Sequence, residues 1–346
     1  MSALLVRQPG LFTTVQDIGR FGAQALGMPV AGAIDPLALR LANALVGNAQ
    51  NEGALELGFM GPTLEVQADS VRLAVVGSVQ ASVQQSEDAP EKPLQANRSH
   101  ALKRGQIVKL GFVTGMAYAY LAIEGGFDIA PFMGSLSTYT RAGLGGFQGR
   151  KLAAGDALPL KRSAAGARQD LACAQAPPYG EGPIRIVPGP QDDYFAAEAL
   201  RTLQSADYVA TKETDRMGMR LDGPALKHAR GADIVSDGIA TGCIQVPGAG
   251  TPIVLLADHQ TIGGYAKIAT VASADLPRLG QTMPGQRLRF AAVTVPEAEA
   301  LRRQQEDGMK RVLSSLVPAR PPGGIDVEAL GSANLIDGMV DALSRG

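Results

Sequence analysis

Apolar residues in this chain come in short runs, and glycine or proline bounds most of them. Ala54–Phe59 meets Gly61-Pro62, Val71–Val76 meets Gly77, and Ala117–Ile123 meets Gly125-Gly126, while Ile253–Ala257 follows Gly250-Thr251-Pro252. Runs this short, partly β-branched and bounded by turn residues, favour buried strands over helices. The 42 glycines and 22 prolines supply the tight turns between them. A mainly-β protein with few helices is expected, and periodicity alone leaves barrel and sandwich both open.

The charge balance narrows the function. With 32 basic and 33 acidic residues the net charge is −1, which gives no electrostatic case for nucleic acid or an anionic membrane. Trp is absent and aromatics are 5% of residues, too few for a base-stacking platform. Cys173 and Cys243 are far apart and form no CxxC, so neither a disulfide framework nor a zinc ribbon is indicated. No apolar run approaches the ~20 residues of a membrane span. The opening MSALLVRQPG lacks the basic region of a signal peptide. The expectation is a cytoplasmic protein.

Both halves open in one style. Ala3–Arg7 reads as a strand closed by Pro9-Gly10, and Asp35-Pro36 then starts a helix, with Asp35 as N-cap. Leu37, Leu41 and Leu45 share one face, and Gly47 is the stop. In the second half Ile184–Val187 is a strand closed by Pro188-Gly189, and Asp192-Asp193 caps a helix carrying Phe195, Ala199, Leu200 and Leu203. A duplicated module is expected, with residues 1–178 and 179–295 as the two units, joined in the Ala/Pro/Gly-rich stretch 163–182, and a helical tail over 296–346. Gln80–His100 reads as an exposed loop or hairpin tip. Pro296–Leu316 is a helix that Gly308 threatens to interrupt, and Ile336, Met339, Val340 and Leu343 mark a last amphipathic segment.

Chemistry concentrates in Ser236–Lys267. Strand Gly242–Pro247 and the run Ile253–Ala257 form a hairpin that delivers Asp258, His259, Gln260 and Thr261 at its end, followed by Gly263-Gly264-Tyr265. Polar groups at the end of a rigid strand are well placed to hold a ligand, and the two glycines admit positive φ and close backbone approach. Gln245 faces water or a polar cleft. Asp258, after five apolar residues, needs a nearby arginine or a ring of backbone donors to stay ionised. Tyr265 either orients substrate or closes the barrel end, and Lys267, on the following strand, could reach the same cleft but reads first as an exposed lysine. Arg141 and Arg150 flank a glycine-rich loop, while Arg216 and Arg220 flank Met217-Gly218-Met219. Arginine offers a planar fork for a carboxylate, phosphate or carboxylated biotin. There is no GxxxxGK[ST], no HExxH and no biotin-carrier Met-Lys-Met. The loop Gly143–Gly149 neither follows an apolar strand nor opens an amphipathic helix, which sets a dinucleotide loop aside.

Gln245-Val246-Pro247, Asp258-x-Gln260-Thr261 and Gly263-Gly264-Tyr265 also carry a family resemblance. With Thr14–Arg20, Gly32–Asp35, Asn43–Asn48, Arg141–Leu152 and Arg216–Leu221, the chain resembles the allophanate hydrolase subunit 2, or biotin-dependent carboxyltransferase, family. The resemblance implies two cyclophilin-like β-barrels. It implies a subunit of a bacterial ATP-dependent 5-oxoprolinase, opening the lactam of 5-oxo-L-proline to L-glutamate. Its partners would be homologues of the B-type and A-type 5-oxoprolinase subunits, with ATP shared with a partner. It implies catalytic roles for Asp258, Arg216, Arg141 and Tyr265. Substrate contacts would come from Gln245, Gln260, Thr261, Gly263, Gly264, Arg220, Asp35 and Ser236, with no metal. Two alternatives stand beside it: a carboxyltransferase component using carboxybiotin from another chain on urea or a similar amide, and a regulator that binds a kinase inhibitor.

Overall fold

The computed structural model of the chain describes residues 2–319; the segment expected around residues 336–343 lies outside them. The architecture is mainly β, with four α-helices among the described residues.

Two sheets are built from residues 3–172. The first orders Ala157–Pro159, Ala3–Gln8, Thr63–Val66, Ile107–Val113, Val79–Gln84 and Lys92–Pro93. The second orders Phe12–Gln16, Ala54–Gly58, Tyr118–Ile123, Ser70–Val76, Arg98–Lys103 and Leu171–Ala172, with Val317–Pro318 added at the edge. Leu4, Val6, Leu64 and Val108 of the first sheet pack in one core with Leu55, Leu57, Val75 and Leu121 of the second. The other face of the second sheet presents Ala54, Ala74, Tyr120 and Ala122 to a different core. Every residue of Tyr118–Ile123 is therefore buried, and its unbroken apolar run reflects cover on both faces.

The third sheet takes eight strands from residues 184–292, ordered Arg287–Leu288, Tyr208–Thr214, Gly218–Asp222, Ile253–Leu255, Cys243–Gln245, Lys267–Val271, Ile184–Pro188 and Phe290–Ala292. Its two edge strands are separated in sequence by Arg289 alone. The edges therefore lie side by side, and the sheet curls almost into a barrel, which leaves few unpaired backbone groups. A two-stranded ribbon, Asp233–Gly238 with Ile262–Tyr265, stands beside it.

Helix α1 (Pro36–Val46) begins as the sequence dictates: the Asp35 carboxylate accepts from Leu37 N at 3.0 Å and Ala38 N at 3.1 Å. It ends on Gly47, whose φ of 73° suits a residue without Cβ. Leu37, Leu41 and Leu45 join the core that also holds Tyr208, Met219, Ile244, Val254 and Ile268 of the third sheet. One core thus spans both halves.

Two local expectations are corrected, and a third takes its definite form. Helix α2 (Ala197–Ser205) starts after Ala196. Asp192–Tyr194 instead closes a single 3₁₀ turn, and extended Phe195 buries its ring 4.7 Å from His228. Within Gln80–His100, Val79–Gln84 pairs antiparallel with Lys92–Pro93 as a hairpin whose tip is residues 85–91, and Arg98–Lys103 then joins Ser70–Val76. After the short α3 (Leu276–Gly280), helix α4 (Val295–Ser314) runs unbroken through Gly308. A Cβ there would lie 2.9 Å from Pro178 Cβ, so glycine permits close approach rather than a break.

Candidate active site

The hairpin joining Tyr208–Thr214 to Gly218–Asp222 forms one wall of an open cleft of about 460 Å³. Ile253, Leu255 and Gln245 of the third sheet form its floor, Gln260 and Tyr265 close one side, and Arg141 reaches in from the first half. The hairpin tip is held by Asp215, whose carboxylate accepts from Met217 N at 2.7 Å and Gly218 N at 3.2 Å. The same carboxylate pairs with Arg141 at 3.1 Å. Both partners are more than half exposed, so this bridge aligns the glycine loop more than it stabilises it. Arg220 sits on the rim, paired with Glu213 at 3.0 Å.

Gln245 is 3% exposed. Its Oε1 faces Gln260 Nε2 at 3.5 Å, and its Nε2 has no partner among the described residues. Gly263 makes room for it, since a Cβ there would stand 2.7 Å from Gln245 Nε2. Arg141, Arg220, Gln245, Gln260, Gly263 and Tyr265 of the expected set thus gather at one cleft or against its floor.

Arg216 and Asp258 do not line it. They lie behind the hairpin wall, 5% and 3% exposed, and engage each other. Arg216 Nε and Nη2 donate to the two Asp258 oxygens at 2.9 and 2.8 Å. The guanidinium also donates to Glu56 of the second sheet and, at 2.6 Å, to the Gly32 carbonyl. Burial opposes its charge, but Asp258 and Glu56 outweigh burial and hold Arg216 well above the usual arginine range. Glu56 in turn accepts from the Tyr120 hydroxyl at 2.6 Å and from Ile34 N at 2.8 Å. The expectation that Asp258 and Arg216 face substrate is therefore corrected: a bidentate fork and a second carboxylate saturate them inside the protein.

Other members of the expected set also move away. Asp35 is fully buried as the α1 cap, and Gln281 Nε2 and the Tyr179 hydroxyl donate to its second oxygen. Burial, only partly offset by those donors, raises its carboxyl above the usual range. Ser236 lies on the exposed ribbon, and the half-buried Thr261 uses its carbonyl to accept from Ile239 N at 3.0 Å. Gly263 and Gly264 occupy a strand, and neither has positive φ. A Cβ on Gly264 would meet nothing closer than 3.5 Å, so its lack of a side chain frees no needed space. Arg150 is occupied by Asp156 at 2.7 and 2.8 Å.

Lys267 is corrected most. It is 1% exposed and donates to Asp237 at 3.0 Å, and the lysine bond is the main cause of the depressed Asp237 carboxyl. Sequence reading missed this pair, and it also missed Glu56, Asp215 and Lys212. The alternation in Lys267–Val271 was the available signal: Lys267 shares a sheet face with Ala269 and Val271, all buried. His259 is buried with Nδ1 2.6 Å from the Gln260 carbonyl and Nε2 3.1 Å from Thr241 Oγ1. The first contact requires a proton on Nδ1 and leaves Nε2 to accept. Burial lowers its pKa.

Residues 26–292 match the family described as carboxyltransferase domain, subdomain A and B. The chain is 36% identical over 303 residues to the C-type subunit of 5-oxoprolinase from Haemophilus influenzae, covering 87% of this chain and 95% of that one. It is likewise 36% identical over 311 residues to the C-type subunit of 5-oxoprolinase from Escherichia coli, with 88% and 95% covered. The crystal structure of the K. lactis urea amidolyase superposes with a TM-score of 0.81 at 29% identity, over 90% of this chain. That match takes in 20% of the much longer amidolyase chain.

Proposed function

This chain belongs to the carboxyltransferase family, and from that premise we propose that it is the C-type subunit of an ATP-dependent 5-oxoprolinase. The observation that carries the reading is coverage. The matched 5-oxoprolinase subunits are spanned over 95% of their length, whereas the yeast urea amidolyases are spanned over 18%.

The cleft chemistry supports a small amide substrate. Each rim arginine faces a carboxylate, Arg141 with Asp215 and Arg220 with Glu213, so Lys212 is the one lining cation without an ion-pair partner among the described residues, too little positive charge to hold a triphosphate by itself. The floor offers side-chain amides. ATP is assigned to a surface shared with a B-type partner, which together with an A-type partner completes the reaction. A lactam is resonance-stabilised, and opening it needs the amide oxygen activated, as by phosphorylation from ATP. Donors aimed at that oxygen favour the developing charge. Arg216 and Asp258 contribute by holding the hairpin wall rather than by touching substrate.

The test is reconstitution. Co-purified with its B-type and A-type partners, the chain should support ATP hydrolysis dependent on 5-oxo-L-proline, with glutamate formed, and alone it should show neither. A second reading, carboxyl transfer from carboxybiotin to urea or a similar amide, draws on the amidolyase superposition. Urea-dependent turnover of carboxybiotin by the complex, without lactam opening, would replace the first reading with the second.

A further inference from the structure

We infer that the cavity between α3 and the closing edges of the third sheet is a phosphate-binding site. Arg278, Arg287 and Arg289 line it, and it encloses about 460 Å³. It shares no lining residue with the candidate active-site cleft, and the inference stands whichever substrate that cleft takes. Three arginines here face one lining carboxylate, Asp207. Asp275 adds a second negative charge behind the wall, but Arg185 engages both of its oxygens. A surplus of two positive charges is therefore concentrated in one concave site, where the field of the surrounding charges is strongest.

Two of the arginines are only partly spent. Arg289 reaches Asp207 through Nε, and the terminal nitrogens of its fork have no hydrogen-bond partner among the described residues. The nearest Arg287 nitrogen stands 3.5 Å from the other Asp207 oxygen, a loose contact for an ion pair. Both side chains are more than half exposed, so each can turn a fork to a ligand. Arg278 is fixed instead: it donates to the Gly182 carbonyl at 2.5 Å and to the Pro183 carbonyl at 3.0 Å, and it adds charge without moving. Thr282 adds a hydroxyl to the lining. A carboxylate would supply one charge and two oxygens. A phosphate group carries roughly −1.5 to −2 at neutral pH and three acceptor oxygens, which matches the surplus and suits guanidinium forks. Arg289 is the single residue between the two edge strands of the sheet, so a phosphate held there ties those edges to α3.

The test is titration calorimetry and thermal melting of the full-length chain at low ionic strength. The titrants are inorganic phosphate, ADP, adenosine and glutamate. Phosphate and ADP should bind and raise the melting temperature, while adenosine and glutamate should bind about tenfold or more weakly. ADP binding tighter than inorganic phosphate makes a nucleotide the source of the group, and equal affinity makes it free phosphate. Arg287→Gln and Arg289→Gln should each weaken phosphate binding about tenfold, with melting temperatures near wild type when phosphate is absent. Asp207→Asn removes the competing anion and should tighten phosphate binding about threefold or more, a gain that a loosened structure would not give. Phosphate binding equally to wild type and both arginine variants overturns the inference. So does weaker binding by Asp207→Asn, glutamate binding as tightly as phosphate, or no phosphate binding at all.

Discussion

Arg216 is the cation of a buried cluster with two carboxylates, Asp258 and Glu56. Removing the cation from such a cluster strands buried negative charge, at a cost of about 3–5 kcal/mol. Arg216→Lys keeps the charge, yet one ammonium cannot replace a fork that meets both Asp258 oxygens, Glu56 and the Gly32 carbonyl together. We expect Arg216→Lys to lose about 2 kcal/mol or more, read as a lower urea midpoint with an unchanged slope. A midpoint equal to wild type would remove this cluster from the account of stability. His259 makes a pH prediction. Unfolded, it titrates near the ordinary value of 6.5; folded, its pKa is lower. Between those values the unfolded state binds more protons, so stability falls as pH falls. His259 contributes fully above about pH 6.5 and progressively less toward its depressed folded value. The melting temperature should drop on acidification from about pH 7.5 to 5.5, and His259→Gln should flatten that slope.

At the scale of elements, α4 shows how local chemistry and packing divide the work. Its start is a capping box: Thr294 accepts from Glu297 N at 3.4 Å, and Glu297 accepts from Thr294 N at 2.7 Å. Thr294→Ala should destabilise by about 1 kcal/mol, visible in thermal melts. Fraying at the start should reach the body of the protein, because Met309 and Val312 sit in the core and Gln305 Nε2 donates to the Ala274 carbonyl at 2.6 Å. An unchanged melting temperature in Thr294→Ala would show that packing alone fixes this end. The hairpin around Asp215 is the opposite case. Its turn relies on the Asp215 carboxylate accepting from two backbone amides and on the neighbouring Arg216, which anchors the same turn inward to Asp258 and Glu56.

For the whole molecule, the sheets change over between Ala172 and Ile184, but the core does not. Helix α1 and one face of the second sheet share a core with the third sheet, and the Arg216–Glu56 pair crosses between the halves. Halves cut between residues 172 and 184 should each expose that surface and fail to fold alone. The described body should melt in one cooperative transition, with calorimetric and van't Hoff enthalpies that agree. Two well-separated transitions would make the two units independent domains.

The mainly-β class, the α1 cap at Asp35, the stop at Gly47 and most strand positions were legible from residues alone, because turn chemistry and alternation act within a few positions of the chain. That Gln245, Gln260 and Tyr265 come together was legible in the same way. Which polar groups face the cleft was not. Asp258 and Arg216 look like catalytic residues until the fold places each as the other's partner across 42 positions, with Glu56 at 160. Lys267 looks exposed until Asp237 is brought to it. A charge is free or spent according to what lies a few ångströms away in space, and that is decided only when distant strands meet.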